Sequence, residues 1–325
     1  MNSLSIQGSL STALSNNVSE LRTQIADRAQ EATTGRQADL VSHLKGRIDF
    51  ALLGEQALRD NADDQQRIEL RNIRLSLSEN TLSSVRDLSE GLTLKMQSAI
   101  GVVDEPLQDT VAAEAREALD EMLSRLNVRH GERYLFSGDA TATQPFQNAE
   151  VLLNDLRTIA AGATDEADFA AQVQTYFDDP AGGFQTNFYQ GTQTASDIDA
   201  VLPNQTAFSD VFMGLSIMAL SGPNDYVAFA DVGTPAMDEA LSRLERGRTM
   251  LVDVEAGIGI RQASLQSEKE LLIREETLLT NSFQELTGKD QYEAATQLKE
   301  LEANLEASYL LTSRLSNLSL LNFLR

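Results

Sequence analysis

The sequence predicts a mainly α-helical protein: an elongated bundle of long helices formed by both chain ends, with a smaller α/β or β-rich domain inserted in the middle. Three observations carry this. Across 325 residues there are only 6 Pro, no Trp and 6% aromatic residues, against 42% hydrophobic and 23% charged, a balance that favours helices over sandwiches or barrels. Leu244, Leu251, Ile258, Leu265, Leu272 and Leu279 recur every seven residues, which keeps one stripe turned toward a neighbouring helix. Most of the Pro, and many turn formers and aromatics, fall between about 141 and 235, where the helical rhythm lapses.

The first helix is read from Leu14, Val18, Leu21, Ile25 and Ala32, spaced at helical steps opposite a polar face. The stretch "TTGRQAD" ends it, with Gly35 at the C-cap. A longer helix is expected from about 60 to 100, with Leu70, Ile73, Leu77, Val85, Leu88, Leu92, Met96 and Ala99 on one face. After "GVVDEP" a third helix carries Ala112, Ala115, Leu119, Met122 and Leu126, closes at Gly131, and pairs antiparallel with the second. Between 141 and 235, turn-rich segments such as "FDDPAGGFQTNFYQGTQTASD" suggest short strands, with a helix or two near 149–176. The seven-residue stripe then resumes the helical pattern. Its companion position is only partly apolar (Val254, Arg261, Glu268), which points to packing in a bundle rather than an isolated coiled coil. "TGKDQ" interrupts, and a last helix carries Ala294, Leu298, Leu301 and Leu305, its apolar face widening through Leu315, Leu318, Leu321 and Leu324. The expected domains are 1–42 with 285–325, 43–140 with 236–284, and the insert 141–235, facing outward. Neither the first nor the last helix can bury its stripe alone, so the two should pack on each other.

Charge and composition narrow the function. A formal net charge of −23 disfavours nucleic-acid and anionic membrane surfaces. The longest apolar stretch, "VFMGLSIMAL", is far short of the ~20 residues that span a bilayer, so no membrane insertion is expected. The start of the chain lacks the pattern of a secretory signal peptide. With no Cys, disulfides, thiolate metal sites and cysteine nucleophiles are excluded. His43 reads as a surface residue and His130 as a helix-end residue favoured by the dipole; neither has a second ligand at usable spacing. "GIGIRQ" lacks the third glycine of a dinucleotide loop, and Gly257 and Gly259 are expected to permit close helix packing instead. The pairs Asp63–Asp64 and Asp178–Asp179 read as solvated charge, and the serines of "SLSTALSNN" have no base nearby. No catalytic residue, cofactor or metal site is expected.

Several motifs carry a family resemblance. "LRTQIADRAQEATTGRQ" resembles the N-terminal segment of bacterial flagellins and their relatives, where a helix runs into a Ser/Thr-Gly-Arg/Lys turn. "VEAGIGIRQASLQS" and "YEAATQLKELEANLEASYLLTSRLSNLSLLNFL" are similar to that superfamily's C-terminal helices. Within it, Tyr134, Leu135, Phe136, Ser137 and Gly138 of "ERYLFSGDATATQPF", with "FQTNFYQG" at 184–191, resemble the hook-associated branch, the hook–filament junction proteins. The proline usual after the early Gly-Arg turn is missing here.

The resemblance implies a structural, non-enzymatic subunit of the extracellular flagellum, exported by the flagellar secretion apparatus without a cleaved signal peptide. It implies as partners hook-associated protein 1, flagellin, further copies of the chain, and an export chaperone bound near 290–325. Leu14, Leu21, Ile25, Leu298, Leu301, Leu305, Leu315 and Leu318 are then expected to line an assembly core within and between subunits, ordered when neighbours supply missing surface. A flagellin that forms the filament itself is the near alternative, and a helical signalling scaffold a distant one.

Overall fold

The computed structural model describes residues 3–101, 104–203, 205–223 and 225–323, with side chains of 3–11, 14 and 315–323 excepted. The chain divides into two compact units, residues 1–66 with 269–325 (unit 1) and residues 67–268 (unit 2). Nine α-helices are present among the described residues: α1 (Ser3–Thr34), α2 (Leu40–Leu44), α3 (Ile48–Gly101), α4 (Glu105–Leu126), α5 (Ala149–Gly162), α6 (Glu166–Asp178), α7 (Thr206–Leu220), α8 (Pro235–Thr287) and α9 (Gln291–Phe323). A π-helical turn covers Phe184–Phe188, and β1 (Arg129–His130) pairs antiparallel with β2 (Arg133–Tyr134).

In unit 2 the long helices lie antiparallel, tied by Arg86 to Glu255 at 2.5 Å, Arg248 to Glu90 at 3.2 Å, and the Gln262 amide donating to Ser76 Oγ and Glu79 Oε2. On α8 the expected stripe is buried at Leu244, Leu251, Ile258 and Leu265. On α3 the buried set is Ile68, Leu75, Leu82, Ser89 and Met96, also seven apart, with Ser78, Val85, Leu92 and Ala99 in the companion position. Leu70 and Ile73, expected in that face, are exposed. Polar Ser78 and Ser89 occupy the seam, and the Ser89 hydroxyl satisfies itself on the Val85 carbonyl, so apolar spacing alone reads the wrong side of the first turns. Helix α3 also starts earlier than expected, at Ile48.

Helix α4 begins on Asp104, whose side chain accepts from Leu107 N–H, and Pro106 occupies the first turn. It packs antiparallel to α3, as Arg125 donates to Ser84, Lys95 to Glu114 and Gln108 to the Ala99 carbonyl. It ends at Leu126, not at Gly131: Gly131, with φ +64°, makes the tight β1–β2 turn. His130 accordingly sits in a strand rather than at a helix end.

The middle is helical where strands were expected. Among the described residues of 141–235, β structure reduces to the bridge Phe146–Tyr189. Helices α5, α6 and α7 fill the rest, the first two capped by Asn148 and Asp165. The "VFMGLSIMAL" stretch lies within α7, whose residues from Ala207 to Leu220 are all buried, as suits a helix apolar on every side inside a core. No described helix is long and apolar enough to cross a membrane. Close approach of α7 and α8 is made at Gly214 and Gly247: a Cβ on Gly214 would lie 1.8 Å from Leu244 Cδ1, and one on Gly247 2.9 Å from the Ala207 carbonyl. Gly257 and Gly259, expected in that role, have open space beside them. Asp178 is not idle charge either. It forks onto Arg243 at 2.5 Å, and Arg243 and Arg246 in turn hold the fully buried Asp210.

Candidate functional site

In unit 1, α1 and α9 pack on each other. The Arg22 guanidinium donates to the Tyr309 hydroxyl at 2.7 Å and 3.0 Å. Of the expected assembly residues, Leu21 and Ile25 on α1 and Leu298, Leu301 and Leu305 on α9 are half-buried, and Ala294 is fully buried. Leu14, Leu315 and Leu318 lie outside the residues whose side chains are described.

The two Thr-Gly-basic breaks, Thr34–Arg36 and Thr287–Lys289, form one clasp. Gly35 adopts φ +66° after its N–H donates to the Glu31 carbonyl, ending α1. The following strand-like residues then meet the second break: Lys289 N–H donates to the Gly35 carbonyl and Gln37 N–H to the Thr287 carbonyl, both at 2.9 Å. The Gln291 amide reaches the Thr33 carbonyl, and the Arg36 guanidinium lies 5.2 Å from the centre of the Phe283 ring. Glu31, almost fully buried, pairs with Arg28 and accepts from Ala38 N–H, securing the loop from beneath. Asp39 caps α2, and the Ser42 hydroxyl, then the Ser42 N–H, holds its carboxyl below the ordinary carboxylate value.

Tyr134 to Gly138 belong to unit 2 and build its core. Phe136 is fully buried, its ring edge-on to Phe208 at 6.4 Å. Gly138 has φ +61°, and a Cβ there would lie 2.4 Å from Thr192 Oγ1. The Tyr189 hydroxyl donates toward the carbonyls of Phe136 and Thr192, each 3.1 Å away, and burial pushes its phenol well above the ordinary value. The two separate motifs, 134–138 and 184–191, are thus one interlocked packing unit. Phe146, Phe184, Phe188 and Phe212 stack behind it, with ring centres 5.0–6.4 Å apart.

Residues 241–324 match the family model of the bacterial flagellin C-terminal helical region, covering the stripe of α8, half of the clasp and α9. Within these residues the chain carries a segment similar to the flagellin C-terminal helical region. The fold of the chain is similar to that of Bacillus cereus FlgL, with TM-score 0.51 and 15% identity over 71% of this chain and 99% of that one. A structure described as a flagellar hook-associated protein from Vibrio parahaemolyticus also matches, at TM-score 0.36 and 14% identity over 70% of this chain and 94% of that one. No curated protein matches. Among the described residues, no group of His, Asp and Glu is placed to hold a metal ion.

Proposed function

We propose that this chain is a structural subunit of the bacterial flagellum that joins hook to filament, assembling through its N- and C-terminal segments. The observation that carries the reading is the α1–α9 pair: α9 lies within the match to the flagellin C-terminal helical region, and the pair's leucines at 21, 298, 301 and 305 are half-covered while Leu310 and Leu311 stand exposed. Each such side chain, once covered, contributes about 1.5–3 kcal/mol before the entropy of ordering is subtracted. Neighbouring subunits supply that cover. The similarity to FlgL, together with the Tyr134–Gly138 unit, favours a junction subunit over a filament subunit.

On this reading Leu14, Leu21, Ile25, Leu298, Leu301, Leu305, Leu315 and Leu318 line the assembly core. Hook-associated protein 1, flagellin and further copies of the chain are its neighbours, and residues 141–235 face outward. The chain leaves the cell through the flagellar secretion apparatus, with an export chaperone masking 290–325 beforehand. Labelled antibody on intact flagella tests the reading: a single band at the hook–filament boundary is expected, whereas label along the whole filament makes it a filament subunit. A truncation lacking 290–325 is expected to lose chaperone capture, and retained capture would move that site elsewhere.

A further inference from the structure

Unit 1 carries two exposed apolar patches away from the α1–α9 seam, and their rims differ in charge. The first is the elbow of α2 and the start of α3, where Val41, Phe50 and Leu53 are 62–65% exposed. The second is the outer stripe of α8, where Leu271 and Leu278, seven residues apart, are 59% and 70% exposed. Contiguous apolar surface of this kind on a charged protein marks a contact. Residues 40–53 carry Lys45 and Arg47, with His43, against Asp49 alone, a rare basic stretch in a chain of net charge −23. Residues 269–286 carry Glu270, Glu275, Glu276 and Glu285 against Lys269 and Arg274.

We infer that the α2–α3 elbow of one chain docks on the Leu271–Leu278 stripe of a second copy, basic rim against acidic rim; this rests on the flagellar reading and names a face through which copies meet. Within one chain the elbow is already committed on its inner side. Leu44 and Ala51 are buried with Phe283, and Leu40, Leu58 and Leu286 pack around them. A Cβ on Gly54 would stand 3.3 Å from the Phe283 ring, so this seat is close. Phe283 follows Leu278 by five residues, about 140° around the helix at 100° per residue, so the exposed stripe faces away from the elbow its own helix holds. The elbow is fixed on a firm base with its outer side presented, and the matching surface is on another molecule. Because the two patches differ, the contact is head-to-tail: each copy gives an elbow to one neighbour and a stripe to the next, the geometry that builds rings or helical rows. Charge complementarity sets the orientation and rejects elbow-to-elbow pairing.

The absence of cysteine makes the test direct. Leu53→Cys and Leu278→Cys variants are expressed together in flagellated cells, and their flagella are isolated and oxidised. A mixed disulfide dimer is expected, with neither variant cross-linking when expressed alone. Incorporation of both without a mixed dimer overturns the proposed face and leaves the flagellar reading intact. Failure of the unmodified chain to enter flagella overturns that reading itself. Adding Lys45→Glu and Arg47→Glu to the first variant is expected to abolish the mixed dimer, and Glu275→Lys with Glu285→Lys in the second to restore it. An undiminished dimer after the first reversal removes the electrostatic part of the inference.

Discussion

The two units handle apolar surface in opposite ways. Unit 2 holds a completed core: Phe136, Phe146, Phe184, Phe188, Phe208 and Phe212 are fully buried and α7 is enclosed along almost its whole length, although Leu70, Ile73, Leu94, Val252 and Ile260 on its long helices stand exposed. In unit 1 the buried apolar side chains among the described residues are Leu44, Ala51, Phe283 and Ala294, while Val41, Phe50, Leu52, Leu53, Leu271, Leu278, Tyr292, Leu310 and Leu311 are exposed. A core that completes itself gives stability to a single molecule. Surface left uncovered stabilises only what it meets. The difference teaches that one sequence can hold a self-sufficient body and an unfinished joint, separated by nothing more than how far each helix face is covered.

The contrast breaks most visibly if core truncations in unit 2 prove harmless. Phe212→Ala removes a ring touching Phe146, Phe184 and Phe188 and is expected to cost about 3–5 kcal/mol, read by chemical or thermal denaturation. Gly138→Ala adds a Cβ against Thr192 at a positive φ and is expected to cost about 1–3 kcal/mol in the same measurement. Tyr189→Phe deletes the hydroxyl between Phe136 and Thr192 at a cost of about 0.5–1.5 kcal/mol. In unit 1, Leu305→Ala is expected to leave the unit 2 transition unmoved yet reduce incorporation into flagella, measured by immunoblot of sheared filaments and hooks. A stability loss as large as that of Phe212→Ala would erase the distinction.

The smallest effect is pH-linked. Desolvation, outweighing Arg86, raises the Glu255 carboxyl above its ordinary value. The folded state then holds this proton more tightly than the unfolded state, so its contribution to stability falls as pH rises through that region. Glu255→Gln is expected to raise Tm slightly at neutral pH, with the gain vanishing in acid where both side chains are neutral. A neutral-pH loss would mean the ion pair with Arg86 outweighs burial.

Much of the long-helix framework was legible. The leucine repeat on α8 announces itself because every member from 244 to 265 is apolar and buried. The matching repeat on α3 was hidden, since Ser89 stands in its seam and Asn61, whose amide donates to the Leu272 carbonyl, extends the same seven-residue register into unit 1. Small polar residues that satisfy themselves on backbone leave no hydrophobic trace. Between 141 and 235, turn formers and aromatics read as strands, although the glycines there serve contacts: Gly183 lies against the Tyr176 ring, and Gly191 against Tyr189 and Ser137. Such contacts join residues far apart in sequence and cannot be read from local periodicity. The same holds for the candidate site. Both Thr-Gly-basic turns were visible as helix ends, but their union spans some 250 positions.

That union has a temporal consequence. Gly35 and Lys289 are joined across a span that contains the whole of unit 2. Closing so large a loop in a floppy chain is slow, whereas a span already condensed by its own core brings the two breaks near each other at a smaller entropic cost. The expected order is therefore that the self-contained body forms first and the joint is set last, which pulse-labelled hydrogen exchange during refolding would read as protection of unit 2 amides before those of Gln37 and Lys289.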